Sequence, residues 1–181
     1  EKINLANTMK DSKLVSDKYI YEFIFHKLLS YSNLISLKYF FINLSMNDTA
    51  QGIYAVEEGF SKELIERNKK RNGPIFGLEE DKGTVFPFVR HDLYSSQYWI
   101  SNYPDLTSTA LSKLNLLKDN EIQLNEIFDL EKWATFFAII DLTSSVHGSI
   151  SKSVKLFYNP VTSKFEPIGF DAHYQPGLFE N

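Results

Sequence analysis

The sequence predicts an α+β fold, on three observations. Strand-like segments gather early, helix-like segments dominate the later part, and a two-stranded unit closes the chain between Val154 and Phe170. Segregated strands and helices belong to α+β architectures, whereas regular alternation belongs to parallel α/β ones. With 181 residues, 43% hydrophobic and 15% aromatic, the chain can build a core of its own. A single domain over residues 1–181 is expected.

Lys13 to Ser30 place Leu14, Tyr21, Ile24, Phe25 and Leu28 at helical spacing, with Asp11 or Ser12 as the cap. Ser36–Leu44 is an aromatic-rich strand, Asn47-Asp48 supplies a turn, and Gln51–Glu58 is the second strand of an antiparallel pair. Phe60–Asn72 reads as a helix that Ser61 caps and Asn72-Gly73-Pro74 stops. Short strands are expected at Ile75–Glu79 and Thr84–Val89, and the polar, aromatic stretch His91–Asp105 reads as a loop. Ser108–Lys118 and Asp129–Leu142 read as helices, the second capped by Asp129 and turning Trp133, Phe136, Phe137 and Ile140 to a core. In the closing unit, Asn159-Pro160-Val161-Thr162-Ser163 joins the apolar runs Val154–Tyr158 and Lys164–Phe170 into a hairpin.

Composition removes several function classes. Lys+Arg 19 against Asp+Glu 23 gives a net charge of −4, which argues against nucleic acid as a partner. With no cysteine, disulfides, thiolate metal sites and cysteine nucleophiles are all excluded. No apolar stretch approaches the roughly 20 residues that span a bilayer. Tyr19–Leu29 is interrupted by Glu22, His26 and Lys27. The sequence shows no signal peptide, and it begins with Glu1 and ends soon after Asp171, so it is expected to be a fragment of a longer chain.

The chemistry-bearing residues cluster around the final hairpin. Its second strand ends on Gly169-Phe170-Asp171, a rigid place to hold a carboxylate against a metal ion. The polar loop Thr143–Ser153 enters the first strand and carries His147. The pieces Trp133–Asp141 (WATFFAIID), His147-Gly148, Phe157-Tyr158-Asn159-Pro160 and Lys164–Asp171 (KFEPIGFD) resemble the CotH-type, spore coat protein H family of atypical kinase-like proteins. Upstream, Gly52–Glu58 (GIYAVEE) is similar to that family's Gly-x-Tyr-x-x-x-Glu strand. The resemblance runs over most of the chain, in order.

The resemblance implies an atypical protein-kinase-like two-lobed fold, with the N-terminal part of the small lobe missing here. It implies ATP and Mg2+ as cofactors, and phosphotransfer to Ser/Thr of a surface or coat protein. An extracellular or cell-envelope location follows from it too. Asp171 is then a metal ligand positioning the β- and γ-phosphates; otherwise it is a turn aspartate. His147 is either a general base near the acceptor hydroxyl or a solvated loop histidine. Ser153 stands where relatives keep an asparagine as second metal-binding side chain, with Ser151 the alternative one register away. Glu58 matches the strand glutamate that pairs with a phosphate-binding lysine or a metal, and is otherwise an ordinary strand-end charge; Glu57 alternates to the other face, and only one of the two is expected to point inward.

Two departures weigh against full activity: serine for asparagine at Ser153, and Gly77 where relatives place a lysine after Gly-Pro-Ile-x. The basic run Arg67–Arg71 complements a helix dipole, or forms an anionic-substrate patch. His91-Asp92 is too small a set for a metal site. The sequence thus supports a CotH-like kinase domain whose catalysis is expected to be weakened. Its alternatives are a catalytically inactive surface adhesion or scaffold module, and a hydrolase built on His147, His173 and Asp171.

Overall fold

The protein is described by a computed structural model at residues 3–7, 13–79, 90–150 and 152–172. It is a mixed α/β protein with two small antiparallel sheets. The first has the order β1-β3-β2, from β1 (Ile3–Asn7), β2 (Tyr39–Met46) and β3 (Thr49–Glu58). The predicted strand pair is present. Asn47 and Asp48 both sit at positive φ, 50° and 59°, as a two-residue hairpin turn needs. β1 pairs with β3 from Ile3↔Glu58 to Asn7↔Tyr54, a strand that sequence reading did not foresee.

Helix α1 (Lys13–Tyr31) covers the predicted span, and its expected caps lie outside the described residues. Its buried stripe differs from the predicted one. Glu22, Phe25, His26 and Leu29 are buried, while Tyr21 and Ile24 are exposed. The i, i+3, i+4, i+7 spacing holds, but two of the four positions carry polar side chains, so hydrophobicity alone rotated the stripe: Phe25 and Leu28 of the predicted set reach the core, and Tyr21 and Ile24 do not.

Helix α2 (Lys62–Arg67) is far shorter than predicted. Ser61 caps it as expected, accepting from the Leu64 amide at 3.5 Å. It ends at Asn68 because Lys69 takes a left-handed φ of 57°. Gly73-Pro74 therefore does not stop a helix. It runs beside the final hairpin, where Tyr158 N donates to Pro74 O at 2.9 Å, and a Cβ on Gly73 would stand 2.3 Å from the Tyr158 carbonyl oxygen.

The second sheet has the order β5-β4-β6-β7, from β4 (Ile75–Glu79), β5 (Arg90–Leu93), β6 (Lys155–Asn159) and β7 (Lys164–Ile168). The strand expected at Thr84–Val89 lies outside the described residues. His91–Asp105 is not a loop. It supplies β5, helix α3 (Ser96–Asn102) and the start of α4 (Pro104–Lys118). Ser95 enters α3 in the left-handed region without a side-chain cap, so the start signal sought in sequence is missing.

Both faces of this sheet are covered. Phe76, Leu156, Tyr158 and Phe165 pack with Ala110 and Leu114 of α4 and with Ile127 of the short α5 (Leu124–Ile127). Ile75, Phe157 and Ile168 pack on the other side with Ile35, Leu37, Leu64 and Ile65. Two-sided burial explains why β6 reads as a continuous apolar run without alternation. The third core joins α1 to α6 (Leu130–Leu142) through Phe25, Leu29, Phe136, Ile139 and Ile140. Asp129 caps α6 as expected, whereas Phe137 turns outward, 45% exposed.

Candidate functional site

The site gathers at one end of the closing hairpin. β6 and β7 pair from Lys155↔Ile168 to Asn159↔Lys164. Their turn is fixed by Asn159, whose Oδ1 accepts from Val161 N at 2.9 Å, and by Ser163 at φ 55°. This register puts the segment entering β6 beside the segment leaving β7. A 3₁₀ turn (Val146–Ser149) carries His147 into the same space.

Asp171 stands at the centre. His147 Nε2 lies 3.0 Å from Asp171 Oδ2, and Ser153 Oγ donates to the same oxygen at 3.3 Å. Asp171 has φ 51°, a left-handed conformation that aspartate tolerates better than most residues. The Asp171 side chain is 38% exposed, His147 is 15% exposed, and Ser153 is fully buried. Gly148 lets the turn approach closely. A Cβ there would meet Ala172 Cβ at 2.9 Å and Ile140 Cδ1 at 3.0 Å. His147, Ser153 and Asp171, widely spaced in sequence, are thus within hydrogen-bonding distance. Ser151 and His173 lie outside the described residues.

Glu58 sits elsewhere, at the end of β3. It is 3% exposed, and its oxygens receive Arg67 of α2 and the Lys38 amide, the latter at 2.9 Å. Arg67 also donates to the Ser36 carbonyl at 2.6 Å. The cation on Glu58 is thus the arginine of α2, not the lysine expected for it. Glu57 is also largely buried, on the opposite face, 3.5 Å from His26 Nε2. The expectation that only one of the two points inward is corrected, because helices cover both faces of this strand end.

The basic run divides: Arg67 stands in the last turn of α2, as a dipole complement would, Lys69 and Arg71 are exposed, and two of the cations have carboxylate partners. α2 ends at Arg67, which pairs with Glu58, and Lys70 beyond it pairs with the buried Glu166 of β7 at 3.0 Å.

Sequence reading missed Lys155. Gly77 of β4 pairs in register with Lys155 of β6, and a Cβ at Gly77 would stand 3.8 Å from Lys155 Nζ. The Tyr94 ring, at 3.4 Å, and the ammonium behind it thus border the position where relatives were expected to carry a lysine. Lys155 is 5% exposed, and its Nζ donates to the Lys152 carbonyl and lies 5.2 Å from the centre of the Phe170 ring. Burial lowers its pKa, while Asp171 and Asp92 pull it back up. Only cross-strand register reveals this placement.

Elsewhere on α1, burial and the neighbouring Glu57 push the Glu22 carboxyl up to about 7. Burial holds the His26 imidazole down at about 4. Tyr39 is pushed up by burial and by Glu22.

Asp171 and Ser153 bring a partly exposed carboxylate and a hydroxyl together, and the Lys155 ammonium is near enough for Asp171 to act on it electrostatically. One half-exposed carboxylate with water completing the shell is how magnesium is commonly held, so the donor set fits that ion. These features define a mixed α/β protein with a polar site at the base of a C-terminal hairpin. Residues 1–175 match the family model for CotH kinase protein, and the chain belongs to that family. No curated protein matches it. Among the described residues, no helix is long and apolar enough to cross a membrane.

Proposed function

We propose that this is a CotH-like, two-lobed kinase domain that transfers the γ-phosphoryl group of ATP to a serine or threonine hydroxyl of a surface or coat protein. The observation that carries this reading is the convergence of His147 and Ser153 on Asp171 Oδ2, at 3.0 and 3.3 Å. Asp171, with Ser153, would hold Mg2+, which when bound neutralises charge on the β- and γ-phosphates. Lys155 supplies the positive charge that Gly77 cannot. Its low exposure strengthens its field, because water screens it poorly. Glu58 serves nucleotide binding through Arg67, which it orients.

In the tautomer with Nε2–H directed to Asp171, His147 has Nδ1 as its acceptor. That nitrogen takes the proton of the incoming hydroxyl as the new O–P bond forms and the bond to the bridging oxygen of ADP breaks. Membership of the family supports a spore-coat or cell-envelope setting.

Catalysis is weakened in this reading. Ser153 is shorter than asparagine and its hydroxyl turns onto Asp171, so positioning suffers, and a misplacement of about 1 Å can cost ~10²-fold in rate. The same contact favours the second reading, a catalytically silent scaffold module, because Asp171 Oδ2 already has two partners.

The full-length protein decides between them. Mg2+ with ATP should raise its melting temperature, Asp171→Ala should abolish that rise, and Ser153→Asn should increase transfer of labelled γ-phosphate to a serine-rich acceptor. An unchanged rise in the Asp171 variant would remove that residue from the site. Transfer that survives His147→Ala would remove the assigned base.

A further inference from the structure

The buried face of α1 carries a second polar cluster, apart from His147, Ser153 and Asp171. Glu22 and His26, one helical turn apart, face Glu57 of β3. One ligand atom from each can be chosen so that all three lie within 4.8 Å of one another. The i, i+4 spacing puts the two helical side chains on one face, and the strand delivers the third from across the interface.

His26 does not behave as a satisfied core histidine. It is 3% exposed, and neither ring nitrogen has a hydrogen-bond partner among the described residues. Its Nε2 stands 3.5 Å from Glu57 Oε1 without hydrogen-bond geometry. A buried polar group left in this state costs about 1–3 kcal/mol, and α1 accepts that cost on the stripe where it most needs apolar contact. Tyr39 holds the cluster in place. Its hydroxyl donates to Glu22 Oε2 at 3.1 Å, and its ring stacks on the imidazole with centroids 5.6 Å apart. Such outer contacts fix the orientation of side chains that serve as ligands. Arg67 is the nearby cation that would oppose a metal, and Glu58 neutralises it. A surface pocket of about 250 Å³, lined by His26, Lys38, Tyr39 and Arg67 among others, gives an ion a way in.

We infer that Glu22, His26 and Glu57 form a binding site for one divalent transition-metal ion, clamping α1 to the end of β3. Two carboxylates balance its charge, and the imidazole selects a borderline ion such as Zn2+ over Ca2+. Three protein ligands leave a coordination position for water. The site shares no side chain with the Asp171 cluster and does not depend on the phosphotransfer reading.

The test uses full-length protein stripped with a chelator and titrated with Zn2+ alone. The expected result is one ion per chain after desalting and a raised melting temperature. Both should persist in Asp171→Asn, and affinity should fall at least ~10-fold in Glu57→Gln and His26→Gln, the usual scale for losing a metal-site contact. Absence of saturable binding by the wild type overturns the site, as does binding that survives Glu57→Gln or is lost in Asp171→Asn. Should the cluster variants fail to fold, Co2+ added to the wild type decides. Paramagnetic broadening of the Tyr39 and Phe25 ring signals, which pack on His26, supports the site, and unbroadened signals overturn it.

Discussion

Replacing Glu166 by alanine should be among the most damaging single changes in the hairpin. Glu166 lies in the middle of β7, 1% exposed. Its Oε2 is 3.0 Å from Lys70 Nζ, its Oε1 is 3.1 Å from Lys132 Nζ, and Asn159 Nδ2 donates to Oε1 at 2.6 Å. The carboxylate thus ties the chain after α2, the first turn of α6 and the tip of the hairpin to one point. Removing one partner of a buried ion pair costs about 3–5 kcal/mol. The low end applies here, because Lys132 keeps Asp129 at 2.5 Å and Lys70 has a path to solvent. A loss of about 3 kcal/mol corresponds to a fall in melting temperature of about 6–12 °C for a domain of this size. Thermal unfolding followed by circular dichroism, with urea titration for the free energy, measures it. Glu166→Gln should fall between, since it keeps an acceptor for Asn159 but leaves Lys70 without its counter-charge and Lys132 with Asp129 alone. A loss under about 1 kcal/mol in Glu166→Ala, or a Lys132→Ala variant that loses as much, would refute the view of Glu166 as the shared node.

Three further outcomes follow from close contacts and burial. Gly148→Ala should cost about 1–3 kcal/mol by overpacking against Ala172 and Ile140; because the same turn carries His147, the melting-temperature rise with Mg2+ and ATP should shrink beyond what stability alone predicts. Gly73→Ala puts a Cβ 2.3 Å from the backbone oxygen of Tyr158, so soluble, folded yield should collapse, and a normally folded variant would show that β6 does not run where described. Lys155→Met should hold or raise stability at neutral pH while weakening ATP binding, read by isothermal titration. Burial lowers the folded pKa of Lys155, so between that value and the ordinary 10.5 the unfolded chain binds more protons and this residue's contribution to stability rises with pH. The stability gap between variant and wild type should accordingly narrow as pH approaches about 10.5, and a constant gap from neutral to alkaline pH would refute the burial argument.

What could be read from sequence divides along physical lines. The β2–β3 and β6–β7 hairpins were legible because Asn47-Asp48 and Asn159-Pro160 impose turn geometry locally. The meeting of His147 with Asp171 followed from the second hairpin, since antiparallel pairing returns the end of β7 to the start of β6. Helix α1 was legible as a helix and misread as a surface, because Glu22 and His26 are buried where Tyr21 and Ile24 are exposed. Helix α3 was invisible, as it is short, aromatic and lacks a side-chain cap. Lys155 could not be found from spacing, since its neighbour Gly77 is brought close only by the β4–β6 register. The partners of Arg67 and Lys70 were likewise unreadable from spacing: two cations of a run that looked like surface charge reach the separate buried carboxylates Glu58 and Glu166.

The end of β3 shows how such long-range placement is secured. Successive strand residues point to opposite faces, so Glu57 meets α1 and His26 while Glu58 meets α2 and Arg67. A slip of one residue would exchange them. Because both are glutamates, flanked by the equally buried Ala55 and Val56, neither charge nor burial would strongly oppose the slip. Register must therefore be set at the other end of the strand. The two-residue turn at Asn47-Asp48 pairs Met46 with Thr49, and the irregularity between Leu44 and Ser45 brings the ladder to Tyr39↔Glu57. Positive φ at both turn residues admits few alternatives. A turn distant in sequence from both clusters thus decides which glutamate faces which helix.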